Sequence, residues 1–387
     1  MKLQFKLLTF LSNFNIGLSA PFLSLILCEH GCSLKNIGLV ISIFSITVVI
    51  AEVPSGIFAD LYGRKSSFLL SQVAGFLSAA LILVSTSFFL TTLGLVFWGI
   101  SMAFSSGSLD ALAVEDVIKQ GGEGSLSEAV SALQICGCAG VALGALIGGF
   151  IPYANGYANH LLIKLITGLI TFSVAFSIPH ETTPSQDSRS LGAHICEIRN
   201  LFSRCKILKQ LALCIITVAL VQASIETYWQ PQLAILQNNN LHNILGFLSA
   251  GAYLATILGC TLTGKLKIIQ KAQKSIAYFC ASICLLNLTF MIAHVNNTLL
   301  FSCVYILIYL FIGIVSVTEQ TIIHQETSDN VRASVLSATS FLSRTGGLIS
   351  GLFSSILLRF YTISTVWIIF SCICLFVIIS LRPYKSA

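Results

Sequence analysis

Apolar runs of about twenty residues recur along the whole chain, and they restrict its possible folds more than any other feature. Each run can cross a hydrocarbon core about 30 Å thick as a helix, and a helix satisfies its backbone hydrogen bonds within itself. We count twelve such segments and number them in chain order. Their approximate spans are 7–27, 36–58, 66–89, 92–115, 128–150, 158–178, 209–231, 243–264, 274–294, 299–323, 333–356 and 360–381. The sequence therefore predicts an all-α integral membrane protein with twelve transmembrane helices.

The composition agrees with this prediction. Apolar residues make up 55% of the chain and charged residues 9%, whereas about a quarter of the residues in a soluble domain are charged. A water-soluble domain is thereby excluded. We expect the lipid bilayer as the surrounding partner, no nucleic-acid partner, and a monomer.

The placement of the basic residues predicts the orientation. If the N-terminus lies inside, 17 Lys and Arg residues fall in inner segments and only Lys35 and Arg359 fall in outer loops. Basic residues concentrate on the cytoplasmic side of membrane proteins. Lys2 and Lys6 precede segment 1, as in a secretory signal, but no small-residue cleavage site follows, which indicates a retained helix. We therefore expect a multi-pass protein of a bacterial inner membrane with both termini in the cytoplasm.

A polar, basic stretch divides the segments into six and six. It predicts a first bundle over residues 1–178, a cytoplasmic linker over 179–208 and a second bundle over 209–387. Glycines recur at a separation of about 208 residues, as at Gly56 and Gly264. Transporters are commonly built from such repeats, with the substrate site at the repeat interface near the bilayer midplane.

The ten residues between segments 2 and 3 read GIFADLYGRK. With the two groups of six segments and the basic linker, they resemble the major facilitator superfamily over the whole chain. The signature of that family is a Gly, an Asp four residues later, then a Gly and a basic pair. Here these are Gly56, Asp60, Gly63, Arg64 and Lys65. The resemblance implies two pseudo-symmetric six-helix bundles and transport by alternating access.

Further stretches resemble one branch of that family and also depart from it. EVPS at residues 52–55 and SGSLDALAVED at 106–116 are similar to a bacterial branch of drug and small-molecule efflux proteins. GVALGALIGG at 140–149 is similar to the antiporter signature, except that Ala145 stands where Pro is usual. The arginine that drug antiporters carry in segment 4 is absent, so proton coupling through that residue does not carry over.

The resemblance also implies a gate on the inner side. Asp60 would face the positive end of the segment 11 helix near Ala333, because a helix N-terminus attracts an anion. Arg64 would pair with Asp116, or in second place with Glu115. The alternative is that Asp60, Arg64 and Lys65 are interfacial charges that only fix the topology.

Four carboxyl groups lie inside the segments, away from the segment ends. Glu52 lies eight positions, or about 12 Å of helix rise, inside from Asp60, and an ionisable group at that depth is costly and usually functional. Segments 1, 4, 7 and 10 line the cavity in the family, so Asp110, Glu226 and Glu319 are candidates for carrying a proton or binding a cationic substrate. Alternatively, each is a structural carboxyl bonded to a neighbouring polar group.

The cavity has candidate substrate contacts as well. Lys164 and Arg344 are cations within the segments and could pair with these acids or bind an anionic substrate. Arg344 could equally form a structural bridge. The polar and aromatic candidates on segments 1 and 7 are Asn13, Asn15, Gln222, Tyr228 and Trp229.

Glycines at four-residue spacing form smooth strips on segments 5 and 11, where helices can slide or simply pack closely. These glycines are Gly140, Gly144, Gly148, Gly347 and Gly351.

Metal, cofactor and enzyme chemistry receive little support. Most of the 13 cysteines lie in apolar segments, where free Cys packs as a small hydrophobe. Cys28 and Cys32 could form a disulfide or bind a metal. The run from Gly259 to Lys265 has the spacing of a phosphate-binding loop, but Leu266 replaces the required Ser or Thr. No nucleophile with its base is evident, so we expect no enzyme, no cofactor and no metal.

We therefore predict a proton-coupled secondary transporter that exports a small amphipathic molecule by alternating access. The first alternative is a proton-coupled importer of a nutrient such as an amino acid or nucleoside. The second is a membrane receptor that does not transport.

Overall fold

The computed structural model describes residues 3–106, 108–109, 112, 126–151, 154–178, 206–236, 241–265, 271–326 and 329–381. Helices account for most of these residues, and a short strand, β1, covers Ala154–Tyr157. The helices are α1 (Leu3–Ser19), α2 (Leu23–Glu29), α3 (Leu34–Tyr62), α4 (Arg64–Leu83), α5 (Phe88–Ser105), α6 (Leu126–Phe150), α7 (Ala158–Phe176), α8 (Lys206–Leu236), α9 (Leu241–Lys265), α10 (Lys271–Ile292), α11 (Thr298–Glu326), α12 (Asp329–Leu357) and α13 (Ile363–Leu381).

These helices confirm the predicted all-α membrane fold. Segment 1 consists of α1 and α2, which a single 3-10 turn at Ala20–Phe22 joins, and segments 2 to 12 correspond to α3 to α13. Within the described ranges, nine spans are long and apolar enough to cross a membrane, and Ile135–Phe150 and Ile276–Ile292 are shorter apolar stretches.

Prolines mark where the long helices depart from regular hydrogen bonding. Pro21 lies in the 3-10 turn that divides segment 1. Pro54 lies inside α3 and Pro231 inside α8. Proline has no N–H and removes one backbone hydrogen bond from a helix interior, so α3 and α8 are each weakened at their proline.

Gly63 separates α3 from α4. Its backbone has φ 85° and ψ 152°, a region that is essentially restricted to glycine because a Cβ would clash there. The chain can thus leave α3 and start α4 at the next residue. The backbone conformation between the two helices therefore explains why the second glycine of the GIFADLYGRK motif is a glycine.

The chain divides into two compact units. Unit 1 comprises Met1–Ser188 with Asn240–Ala250, and unit 2 comprises Arg189–Asn239 with Gly251–Ala387. In unit 1, α1 packs on α6, α4 on α5, α3 on α5 and α7 on α4. In unit 2, α8 packs on α12 and α13, and α10 packs on α11. Each unit buries apolar side chains of its own, such as Leu8 in unit 1 and Trp367 in unit 2.

Candidate functional site

A pocket lies among four helices of unit 1, namely α1, α4, α5 and α7. Its cavity volume is about 60 Å³. Polar and apolar side chains share its wall. The lining residues are Ser12, Asn15, Ile16, Gln72, Gly75, Phe76, Trp98, Ser101, Met102, Ser105, Lys164 and Gly168.

Lys164 supplies the cation of this pocket. Its Nζ donates a hydrogen bond to Ser19 Oγ at 2.7 Å and lies 5.2 Å from the centre of the Trp98 ring. An ammonium above an aromatic face is stabilised by the quadrupole of the ring. Both of these partners are neutral, and within the described residues no carboxylate pairs with Lys164.

Asn15 fixes the backbone beside Lys164. Its Nδ2 donates to the carbonyl oxygen of Lys164 and to Thr167 Oγ1, each at 2.7 Å. These bonds tie α1 to α7 at the level of the pocket. Asn13, which we also predicted for the cavity, does not line this pocket. Its Nδ2 donates to Thr9 O at 2.9 Å and faces α6 near Gly137.

Unit 2 contains a carboxyl group that is held by a neutral partner. Gln222 Nε2 donates to Glu226 Oε1 at 2.8 Å, one turn away on α8. The charge of Arg344 on α12 also acts on this carboxylate. Of the predicted residues, Gln222 and Glu226 are thus hydrogen-bonded to each other, and Arg344 lies within electrostatic range of the carboxylate.

An aromatic cluster lies within reach of the Glu226 charge. The Trp229 ring stacks on Tyr305 at 4.5 Å between centroids, and Tyr305 is 4.9 Å from Tyr309. Tyr253 completes the cluster at 6.4 Å from Tyr309. Glu226 acts electrostatically on Tyr305 and Tyr309. Trp229 is a buried member of this stack and is only 2% exposed.

We did not predict these tyrosines, although one signal was present in the sequence. Tyr305 and Tyr309 stand four residues apart, which places them on one face of a helix.

Tyr228, which we predicted for the cavity, is buried and only 1% exposed. It is therefore part of the core of unit 2.

Glu319 lies half-buried on α11. Its charge acts on Cys214 of α8 and on Tyr278 of α10. Three helices of unit 2 thus meet around this carboxyl group. Among the described residues, Glu226 acts instead on Tyr305 and Tyr309, so the two carboxyl groups have different surroundings.

The signature residues have diverse surroundings. Glu52 is half-buried on α3, and its carbonyl oxygen accepts a hydrogen bond from Ser55 Oγ at 2.8 Å. Gly56 is exposed, and a Cβ added there would meet nothing within 4 Å. Lys65 Nζ donates to the carbonyl oxygens of Phe176 and Ile178 at the end of α7. Asp110 and Asp116 lie outside the described residues, as does the side chain of Asp60.

The glycine strip of segment 5 packs against α1. A Cβ added at Gly140 would lie 2.5 Å from the Phe10 carbonyl oxygen, and one at Gly148 would lie 2.6 Å from that of Leu18. At Gly144 the added atom would lie 3.0 Å from the Gly17 Cα. On α12, a Cβ added at Gly346 would lie 2.6 Å from the Ile216 carbonyl oxygen of α8. Gly347 and Gly351 follow it on the same helix.

Cys28 and Cys32 are free thiols. Burial raises the pKa of the Cys32 thiol to about 11, and the nearby Cys28 adds to the shift. Glu29 accepts from the Tyr157 backbone N–H at 3.1 Å, and His30 Nδ1 lies 3.0 Å from the Ser85 carbonyl oxygen. Over the described ranges, no three His, Cys, Asp or Glu residues are placed to hold a metal ion.

Known proteins resemble this chain in sequence and in fold. The chain is 33% identical over 95 residues to the uncharacterized MFS-type transporter YxaM of Bacillus subtilis (strain 168), and it spans 24% of the length of that relative. A crystal structure of the nucleoside transporter NupG superposes with a TM-score of 0.81 at 17% identity, covering 99% of each chain. The POT family transporter PepTSo superposes with a TM-score of 0.73 at 11% identity, covering 98% of this chain and 96% of that one.

At these identities the two solved structures inform us about the fold. The family is given by a sequence profile described as Major Facilitator Superfamily, which matches residues 7–351. That match extends over parts of both units, from within α1 to within α12. Together with its candidate membrane spans, this match makes the protein a multi-pass membrane protein, and the chain belongs to the Major Facilitator Superfamily.

Proposed function

We propose that this protein is a proton-coupled secondary transporter that exports a small amphipathic molecule by alternating access. The observation that carries this proposal is the environment of Glu226, a carboxyl group within a membrane-spanning helix that is hydrogen-bonded to the neutral amide of Gln222. An ionisable group inside a membrane span is costly and usually functional. We assign Glu226 to the proton path.

The amide partner suits a group that changes its protonation state. The Gln222 amide donates to an ionised carboxylate, and its oxygen can accept from a protonated carboxyl, because the side chain carries both functions. Arg344 adds a positive charge that acts on this carboxylate. Proton uptake and release at Glu226 therefore need no loss of its hydrogen-bond partner.

The pocket of unit 1 supports the amphipathic substrate class. Amide and hydroxyl groups such as Asn15 and Ser101 share its wall with Phe76, Trp98 and Met102. Small-molecule sites combine a mostly apolar wall with a few placed polar groups. We place the protein in a bacterial inner membrane as a monomer with both termini in the cytoplasm, from the distribution of its basic residues.

Export is the direction that the efflux-like stretches at residues 52–55 and 106–116 favour. Import is the alternative, since the superposed NupG structure is named as a nucleoside transporter and Ala145 interrupts the antiporter signature. A receptor that does not transport is the second alternative, and it would tolerate the loss of Glu226.

The test is proton movement in vesicles that contain the purified protein. An imposed pH gradient is combined with a panel of amphipathic cations, organic anions, amino acids and nucleosides. Proton release from an acidic interior on external addition of one compound supports export, and entry of protons together with the compound supports import. Absence of any response with a folded protein contradicts coupled transport and favours the receptor.

Two variants test the proton path. Glu226→Gln keeps the shape and the hydrogen bond of the side chain but removes the titration, so flux should lose its dependence on the pH gradient. Glu52→Gln should do the same if Glu52 also carries the proton. A variant whose pH dependence equals that of the wild type removes its residue from the path.

A further inference from the structure

We propose that the pocket of unit 1 binds the carboxylate of a small aromatic acid, with Lys164 holding the carboxylate and Trp98 contacting the flat apolar body. This assignment depends on the proposed function, because it names the class of molecule that the transporter would carry. The geometry around Lys164 supports it.

Lys164 carries a positive charge that its described partners do not neutralise. An ammonium has three donors, and Ser19 Oγ takes one of them at 2.7 Å. The Trp98 ring lies 5.2 Å from Nζ and offers a π face but no counter-charge. Removing a cation from water is costly unless it is paired, so this site favours an anion that can supply the missing charge.

The rest of the described pocket wall is uncharged. The other polar lining groups are amides and hydroxyls, which are neutral and can donate to an anion, as Gln72, Ser101 and Ser105 can. The described lining residues include no Asp or Glu. A cationic substrate would meet the like charge of Lys164, and no acid among the described lining residues offsets that charge, so this wall disfavours cations.

The number of cations restricts the anion further. Among the lining residues that the structure describes, Lys164 is the single basic one. A monoanionic carboxylate matches one ammonium, whereas phosphate groups are typically held by several charged or backbone donors. Ile16, Phe76 and Met102 form an apolar wall near Trp98, and aromatic rings pack favourably on such a surface. The combination points to an aromatic acid.

The test is binding of benzoate to the full-length protein in detergent. The chain has three tryptophans, so the double variant Trp229→Phe with Trp367→Phe leaves Trp98 as the only indole reporter. Benzoate should change the Trp98 fluorescence saturably. Benzamide and benzylamine, which have the same ring without the negative charge, should bind far more weakly.

Substitutions at Lys164 decide the assignment. Lys164→Gln should weaken benzoate binding by about 30-fold or more, as expected when one partner of a desolvated charge pair is lost, and Lys164→Arg should restore part of it. Calorimetry on the protein with all its tryptophans repeats the measurement if the double variant elutes as an aggregate. Equal binding of benzoate and benzamide, no saturable binding of benzoate, or an unchanged affinity in Lys164→Gln would each overturn the proposal.

Asp110 provides the remaining control, since it belongs to segment 4 and lies outside the described residues. If Asp110→Asn creates benzoate binding that the wild type lacks, the protein neutralises Lys164 with its own carboxylate and the proposal is wrong. Binding in detergent without flux in vesicles would support this site and contradict transport. Flux of another substrate class that is insensitive to Lys164→Gln would support transport and contradict this site.

Discussion

The ammonium group of Lys65 donates a hydrogen bond to the backbone carbonyl oxygen of Phe176 at 2.8 Å, across 111 positions of sequence. It also donates to the carbonyl oxygen of Ile178 and lies 5.4 Å from the Phe176 ring centre. Phe176 ends α7, and the last carbonyls of a helix lack partners within it. The last basic residue of the GIFADLYGRK motif thus caps a helix within unit 1.

Lys65→Met should lower the stability of the protein by about 1 kcal/mol, because it removes a cation from a helix C-terminus and keeps the aliphatic stem. The measurement is the midpoint of thermal unfolding in detergent. Lys35→Met is the matched control, since Lys35 is exposed in the first turn of α3, where a cation opposes the helix dipole. Equal decreases in the two variants would contradict the capping role.

The two glycines of the motif should respond oppositely to alanine. Gly63→Ala places a Cβ on a backbone with φ 85° and ψ 152°, a strain that costs about 2 kcal/mol. Gly56→Ala lies in α3 with nothing within 4 Å of the added Cβ, and alanine is the better helix former. The unfolding midpoint should therefore fall for Gly63→Ala and stay or rise for Gly56→Ala. A fall of similar size in both would show that the turn at Gly63 is not the cause.

Hydropathy was sufficient for the fold because the bilayer requires helices of about twenty apolar residues. The pocket was harder to predict, as Asn13 and Asn15 illustrate. Two residues apart on a helix, side chains point to different faces, and here Asn13 faces α6 whereas Asn15 lines the pocket. Sequence reasoning placed both in the cavity, because it had no information on how α1 is rotated about its axis.

The other contacts that the sequence did not predict join segments that are far apart in the chain. The pairing of Lys164 with Trp98 and the capping of α7 by Lys65 depend on which helices are neighbours. A single sequence does not indicate which residues of different helices are in contact. Spacing on a single helix does carry one, and the interval between Tyr305 and Tyr309 would have predicted that their rings share a face.

The contact between α1 and α6 should be sensitive to a single methyl group. Gly148→Ala would place its Cβ 2.6 Å from the Leu18 carbonyl oxygen, and such overpacking costs about 1–3 kcal/mol. Gly251→Ala is the matched control in unit 2, where the nearest atom is Ile306 Cδ1 at 3.5 Å. Thermal unfolding should separate the two variants. An unchanged midpoint in Gly148→Ala would mean that the helices move apart at little cost.

Cys32 should react slowly with alkylating reagents and gain reactivity with pH. Its pKa is raised to about 11, first by burial and then by Cys28, and the thiolate is the reactive form. Below pH 11 a raised pKa means less thiolate, so the iodoacetamide rate should rise about tenfold per pH unit from pH 7 to 10. Mass spectrometry of the Cys32 peptide measures this rate. A plateau near pH 9 would show an ordinary thiol, and the denatured protein supplies that reference curve.

Asp60→Asn should abolish flux while leaving the protein folded, provided that Asp60 closes the inner side of the transporter. The substitution removes a charge near the C-terminal end of α3 and keeps the size of the side chain. Flux is measured in vesicles with the substrate that the gradient experiment identifies, and the unfolding midpoint of the same preparation controls for folding.

Lys65→Met distinguishes a gate from a structural motif. Lys65 contacts the end of α7, so its loss should lower the midpoint and leave the flux per folded molecule close to that of the wild type. Asp60→Asn should show the reverse. If both variants lose stability and retain flux, the GIFADLYGRK residues only fix topology and packing, and the gating assignment of Asp60 is wrong.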